Sequence, residues 1–197
     1  MRGTFIVLEG PDGSGTTLHS AFLADRIRAE GGDVLVTAEP TESPIGANIR
    51  ALLHGSGMPA PDATQLLFCA DRAEHVATVI LPALERGTTV ISDRYALSTI
   101  VYGTALGLDE AWLRAVNSRF PKPDITIITL PPFAVCMERM SRRDARDQYE
   151  RQEFQQKVHA LYASLKEPQC FSVDTSQSKE ATAEVVWNLV RPLLTRP

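Results

Sequence analysis

Short apolar runs alternate along the chain with longer stretches of helical periodicity. Thr4–Glu9 (TFIVLE) is apolar and ends in a glycine-rich turn. From Gly15 to Glu30 the residues Leu18, Phe22, Leu23 and Ile27 recur at the spacing of one helix face, and Gly31-Gly32 stops the pattern. Asp33–Thr37 (DVLVT) is the second predicted strand, Pro40–Pro44 a loop and Ile45–Leu53 a short helix. After a loop at Gly55–Pro61, helical spacing runs from Asp62 to Arg86, with a bend expected near Pro82 because proline breaks the hydrogen-bond ladder. Thr88–Ser92, Asp124–Leu130 and Cys170–Val173 complete the predicted strands. Helices are predicted after Asp93-Arg94-Tyr95 and at Asp109–Arg119, Phe133–Ser141, Tyr149–Leu165 and Lys179–Leu194, with a charged stretch at Arg142–Asp147.

Strands that alternate with helices predict an α/β fold: three layers, α/β/α, around a five-stranded parallel sheet. Right-handed crossovers bring the loops that follow the strands to one sheet edge, where ligands bind. The 197 residues fit one domain, 1–197. The net charge of -4 argues against a protein that coats nucleic acid, since such binding needs a broad basic surface. No apolar run reaches the length of a membrane span, and no leader is expected before the first strand. Cys69, Cys136 and Cys170 are odd in number and scattered, so reduced thiols in a cytoplasmic protein are expected. His19, His54, His75 and His159 have no metal-ligand spacing and are expected at the surface or partly buried.

The turn after the first strand reads Gly10-Pro11-Asp12-Gly13-Ser14-Gly15-Thr16-Thr17. It matches the phosphate-binding pattern G-x-x-x-x-G-K-[ST] at Gly10, Gly15 and Thr17, with Thr16 in place of lysine. Backbone amides at the start of the following helix suit phosphate, and Thr17 is a Mg²⁺ ligand candidate. Without the lysine, the same residues equally describe an ordinary glycine-rich turn. Asp93, closing an apolar strand at the ligand edge, is placed to hold a metal.

Phe5–Thr17, Glu39–Leu53, Leu66–His75 and Asp93–Tyr102, in this order and spacing, resemble thymidylate kinases along nearly the whole chain; Pro123–Leu130 and the arginine-rich segment add to the likeness. The resemblance implies a P-loop NTPase fold with a lid at about 139–150, ATP as donor, dTMP as acceptor, Mg²⁺ as cofactor and a homodimer joined through helices. Residues 10–17 would bind ATP. Asp12 would lie near the sugar and phosphates, Glu39 near the acceptor, and Arg50 on its monophosphate. Phe68 would stack on thymine and Arg72 bond its carbonyl. Asp93 would sit by the metal and Arg94 by the transferring phosphoryl. Thr99 and Tyr102 would touch the base and exclude a 2'-hydroxyl. Arg142, Arg143 and Arg146 would be catalytic lid arginines that partly replace the missing lysine. Read alone, Phe68 is a core residue, Arg72 a solvated helix face, Arg50 a snorkelling cation and the lid a charged loop. The chain departs from the family pattern at Ala38, Gly103 and Gln148, where Arg, Gln and Arg are usual. Two alternatives stand beside dTMP kinase: a kinase for another nucleoside monophosphate or a deoxynucleoside, and a catalytically weak nucleotide-binding regulator.

Overall fold

The computed structural model describes residues 2–55, 59–141 and 148–194. In chain order the elements are β1 (Phe5–Glu9), α1 (Thr16–Ala29), β2 (Val34–Ala38), α2 (Pro44–His54), α3 (Pro61–His75), α4 (Leu81–Glu85), β3 (Thr89–Asp93), α5 (Ala96–Ala105), α6 (Glu110–Asn117), β4 (Ile125–Thr129), α7 (Phe133–Ser141), α8 (Gln148–Ser164), β5 (Cys170–Val173) and α9 (Lys179–Leu194). The strands form one parallel sheet in the order β2-β3-β1-β4-β5. Central β1 and β4 are buried along their length, which their unbroken apolar runs predict for a sheet covered on both faces.

Side chains alternate across β1. Ile6 and Leu8 pack with Leu23 and Ile27 of α1 and with Val186, Trp187 and Val190 of α9. Phe5 and Val7 turn the other way, onto Val76, Ile80 and Leu84. A third cluster joins Val101 of α5, Ile128 of β4 and Val158 and Tyr162 of α8. Each large side chain so buried contributes about 1.5–3 kcal/mol of transfer free energy.

Most boundaries lie within one or two residues of the sequence expectation, and two differences have a clear physical cause. Pro44 opens α2 rather than belonging to the loop, because Ser43 caps the helix by accepting from the Gly46 amide at 3.2 Å and proline suits the first turn. The bend expected near Pro82 lies one turn earlier, as a π-helical turn over Val76–Ile80 in which the Leu81 amide reaches back to the Val76 carbonyl. Pro82 has no amide for the Thr78 carbonyl, so the ladder widens before it. The three cysteines are free. Among the described residues, no helix is long and apolar enough to cross a membrane.

The chain leaves β1 for the β2 edge, returns through β3 beside β1, then crosses to lay β4 on the other side of β1. Leu8 is therefore opposite Asp93 in the register. The turns after β1 and β3 open side by side at the carboxyl edge of the sheet.

Candidate active site

The turn after β1 is held open by its neighbours. Gly13 has φ +78 and Gly15 has φ +97, and a Cβ on Gly13 would lie 2.5 Å from the Cys136 carbonyl of α7. Thr175 donates to the Ser14 carbonyl at 2.7 Å, and Arg139 donates to the Gly13 carbonyl at 3.3 Å and the Thr175 carbonyl at 2.7 Å. Ser14 and Thr129 hydroxyls meet at 2.8 Å. With the Ser14 carbonyl drawn to Thr175, the other side of that peptide is left to the Gly15 amide, while the Ser14 amide donates to the Pro11 carbonyl at 3.2 Å. Gly15 caps α1 without a side-chain hydrogen bond, so the first-turn amides remain available to an anion. Thr16 is buried here and brings no charge.

Thr17 and Asp93, paired as metal candidates, do meet: the Thr17 hydroxyl donates to Asp93 Oδ2 at 2.5 Å. Asp93 Oδ1 is buried with no hydrogen-bond partner. An orphaned carboxylate oxygen beside a hydroxyl fits Mg²⁺, which uses one or two carboxylates and takes its remaining ligands from phosphate and water. Among the described residues, no group of three or more His, Cys, Asp or Glu could hold an ion.

Arg94, next in the chain, takes the uncommon φ of +70 and reaches back to the turn after β1. Its Nη1 donates to the Gly10 carbonyl at 2.9 Å and to Ser98 at 3.2 Å, and its Nη2 to Asp12 Oδ1 at 2.7 Å. Tyr102 donates to the same Asp12 oxygen at 2.9 Å, and Gln155 of α8 donates to Asp12 Oδ2 at 2.9 Å. Burial holds Tyr102 in its neutral phenol form, against the opposing pull of Arg94. Asp12, Arg94 and Tyr102 are thus one bonded cluster over the loop.

Glu9 supports this cluster from beneath and was missed as a site residue in sequence. Its fully buried carboxyl accepts from the Tyr95 and Ser98 amides at 2.9 and 3.1 Å, from the Ser98 hydroxyl at 2.6 Å and from Tyr162 at 2.9 Å. It caps α5, whose own N-cap residue Tyr95 offers no side-chain bond. Burial pushes the Glu9 carboxyl upward, while Ser98, Arg94 and Tyr162 pull part of the way back. Its only signal in sequence is an acid closing an apolar strand. Gln155, on a helix with no motif, has none.

Arg72 is not on a solvated face. Its side chain is 1% exposed and pairs with Glu39, 3% exposed, through Nη2 at 2.7 Å and Nε at 2.9 Å. Nη1 donates to Asn117 at 2.5 Å and Nη2 to Thr99 at 3.0 Å. Glu39 also meets His75 Nδ1 at 3.0 Å, and His75 Nε2 meets Thr37 at 2.7 Å. His75 and His19 are more deeply buried than the surface or partly buried placement expected: His75 has polar partners, and His19 packs at α1 with its ring against Phe22. Phe68 is half-buried and outside all three core clusters, so the core reading of it fails.

Arg50 donates to the Pro40 carbonyl at 2.9 Å, to the Thr41 carbonyl, and to Glu42 at 2.8 Å. Buried Asp71 holds the same loop, accepting from the Thr41 amide at 2.7 Å and from Ser43 at 3.0 Å. Gly103, which departs from the family pattern, packs: a Cβ there would lie 2.7 Å from Leu113 of α6. Arg142, Arg143 and Arg146 lie outside the described residues.

A thymidylate kinase family profile matches residues 8–186. A protein of Pyrococcus abyssi named probable thymidylate kinase is 44% identical over 174 residues, covering 85% of this chain and 84% of its own length. Thymidylate kinase of Thermomicrobium roseum is 41% identical over 202 residues, with 98% and 96% covered. Thymidylate kinase of Clavibacter michiganensis subsp. michiganensis is 37% identical over 205 residues, with 98% and 97% covered. Matched this closely and over nearly its full length, the chain belongs to the thymidylate kinase family of nucleoside monophosphate kinases.

Proposed function

We propose that the protein transfers the γ-phosphate of ATP to dTMP, giving dTDP, within a single kinase domain whose lid spans about 139–150. The family match supports this reaction and favours neither alternative. The observation that carries the reading at the level of residues is the cluster in which Arg94 and Tyr102 meet Asp12 over the phosphate loop, beside the Thr17–Asp93 pair. It joins groups assigned to the acceptor with groups assigned to the donor.

Phosphoryl transfer needs positioning and charge stabilisation more than covalent help. The attacking oxygen of dTMP is already anionic near neutral pH, so no general base is needed. Loop amides from Gly13 to Thr17 bind the donor phosphates. Arg94, half-buried and paired with the Asp12 carboxylate, faces the transferring group. Arg50 binds the acceptor phosphate after leaving its loop carbonyls, Phe68 stacks on the base and Arg72 bonds its carbonyl, while Thr99 and Tyr102 bound the pocket. Thr17 and Asp93 would hold Mg²⁺, which supplies charge neutralisation on the donor phosphates when bound. Arg142, Arg143 and Arg146 supply the cation that Thr16 does not. The protein acts in the cytoplasm as a homodimer; Leu53 of α2 and Leu66 of α3, 50% and 48% exposed, support pairing through these helices.

The test mixes protein, ATP and Mg²⁺ with dTMP, dUMP, UMP, CMP, GMP or AMP and measures ADP and the diphosphate product. Preferential dTDP formation is expected. Preference for another acceptor overturns the substrate, and dTMP binding without product with any acceptor overturns the enzyme reading.

A further inference from the structure

Asn117 closes α6, away in sequence from every motif above, yet its side chain is buried against Arg72. Its Nδ2 donates to the Leu113 carbonyl one turn back at 2.8 Å, and its Oδ1 accepts from Arg72 Nη1 at 2.5 Å. The two bonds fix the amide. A flip would turn Nδ2 toward a guanidinium that has only donors and leave the Leu113 carbonyl facing an oxygen. The Cys69 thiol adds a weaker contact to the same Oδ1 at 3.8 Å.

Arg72 is therefore locked from several elements at once. Its Nε–H goes to Glu39, whose Oε2 also lies 2.7 Å from Nη2; Nη2 donates to Thr99 and Nη1 to Asn117. The rings of Tyr95 and Phe120 lie 5.1 and 5.7 Å from its guanidinium carbon. A guanidinium carries five N–H donors and no acceptor; with Nε and Nη2 turned to Glu39 and Thr99, the second Nη1–H has no acceptor among the described residues and is left for a ligand.

We propose that Asn117 is a positioning residue for base selection: it holds Arg72 so that the remaining N–H meets an acceptor, favouring a 4-keto pyrimidine over a 4-amino one. The inference rests on Arg72 facing the base, as in the function proposed above. A 4-amino group would set donor against donor in a buried site, and the locked guanidinium could neither turn aside nor offer a lone pair. Without Asn117, Arg72 swings more freely and loses that aim.

The experiment measures kcat and KM in wild type, Asn117→Leu and Asn117→Asp for dTMP and for 5-methyl-dCMP, which differ in the 4-substituent and, with it, in N3, a donor in thymine and an acceptor in 5-methylcytosine. The comparison between variants isolates the part that Asn117 controls. Melting temperature is followed in parallel. With N117L, KM for dTMP should rise about tenfold or more with a smaller change in kcat, and the preference for dTMP should fall by roughly the same factor. N117D keeps the acceptor toward Arg72 while setting an oxygen against the Leu113 carbonyl, so it should keep the preference at a lowered melting temperature. The proposal is overturned if N117L lowers kcat/KM for both substrates equally, or changes only the melting temperature, or if N117D loses the preference as fully as N117L. Should N117L not fold, the shorter and still polar Asn117→Ser is read by the same outcomes. Arg72→Met separates the two layers. If R72M keeps the wild-type preference, Arg72 does not read the base. If R72M loses it while N117L keeps it, only the role of Asn117 fails.

Discussion

Replacing Glu39 by Gln keeps the shape of the side chain and removes its charge. In the native protein Glu39 Oε2 takes both Nη2 and Nε of Arg72, at 2.7 and 2.9 Å, and both side chains are almost wholly shielded from water. Screening is therefore weak, and the guanidinium would stay buried among the neutral acceptors Asn117 and Thr99. Removing one partner of a buried pair costs about 3–5 kcal/mol, and the Gln oxygen can still accept a hydrogen bond, which places E39Q near 3 kcal/mol. For a chain of this size that is a fall in melting temperature of roughly 6–12 °C. Urea and thermal unfolding followed by circular dichroism measure it. The loss belongs to the stranded cation rather than to a missing contact, so the double variant E39Q/R72M should recover part of it, with Met packing against Tyr95 and Phe120. An E39Q protein within about 1 kcal/mol of wild type would refute the reasoning. So would a double variant no more stable than E39Q alone.

Four further outcomes are expected. Asp93→Asn should raise the Mg²⁺ concentration needed for half-maximal turnover, read from a Mg²⁺ titration at saturating ATP. Gly13→Ala should raise KM for ATP and destabilise the fold by about 1–3 kcal/mol, because the new Cβ meets the Cys136 carbonyl at a positive φ. Glu9 has a raised pKa in the fold, so its contribution is fully present below the unfolded carboxyl pKa and is lost as pH rises through the folded one. The melting temperature of Glu9→Gln relative to wild type should therefore improve from pH 4 to pH 8, and a constant difference counts against the burial argument. Arg142→Ala, Arg143→Ala and Arg146→Ala should include at least one variant with turnover down roughly 30- to 1000-fold, and T16K should restore part of it.

The order of strands and helices was legible because each apolar run is short, bounded by Gly, Pro or charge, and switches cleanly from period two to period 3.6. The glycine-bearing turn after β1 could be read for a related reason: its glycines are dictated by local backbone geometry, which neighbouring residues reveal. Pro82 marked a disturbance but not its place, since the widened turn at Val76–Ile80 depends on where the missing amide is absorbed. Phe68 and Arg72 were misjudged on spacing alone. Whether a helix position faces core, solvent or a site depends on what other elements bring to it.

Glu9 capping α5, Gln155 reaching Asp12 and Asn117 aiming at Arg72 had no readable signal as partners. Sequence alone determined what is periodic and local here: the alternating architecture, the glycine-bearing turn and the acid at the end of β3. Tertiary structure decided the pairings, because a buried charge or amide takes whichever partner the packing delivers. In this chain those partners lie from 27 residues away, for Thr99 and Arg72, to 153, for Tyr162 and Glu9.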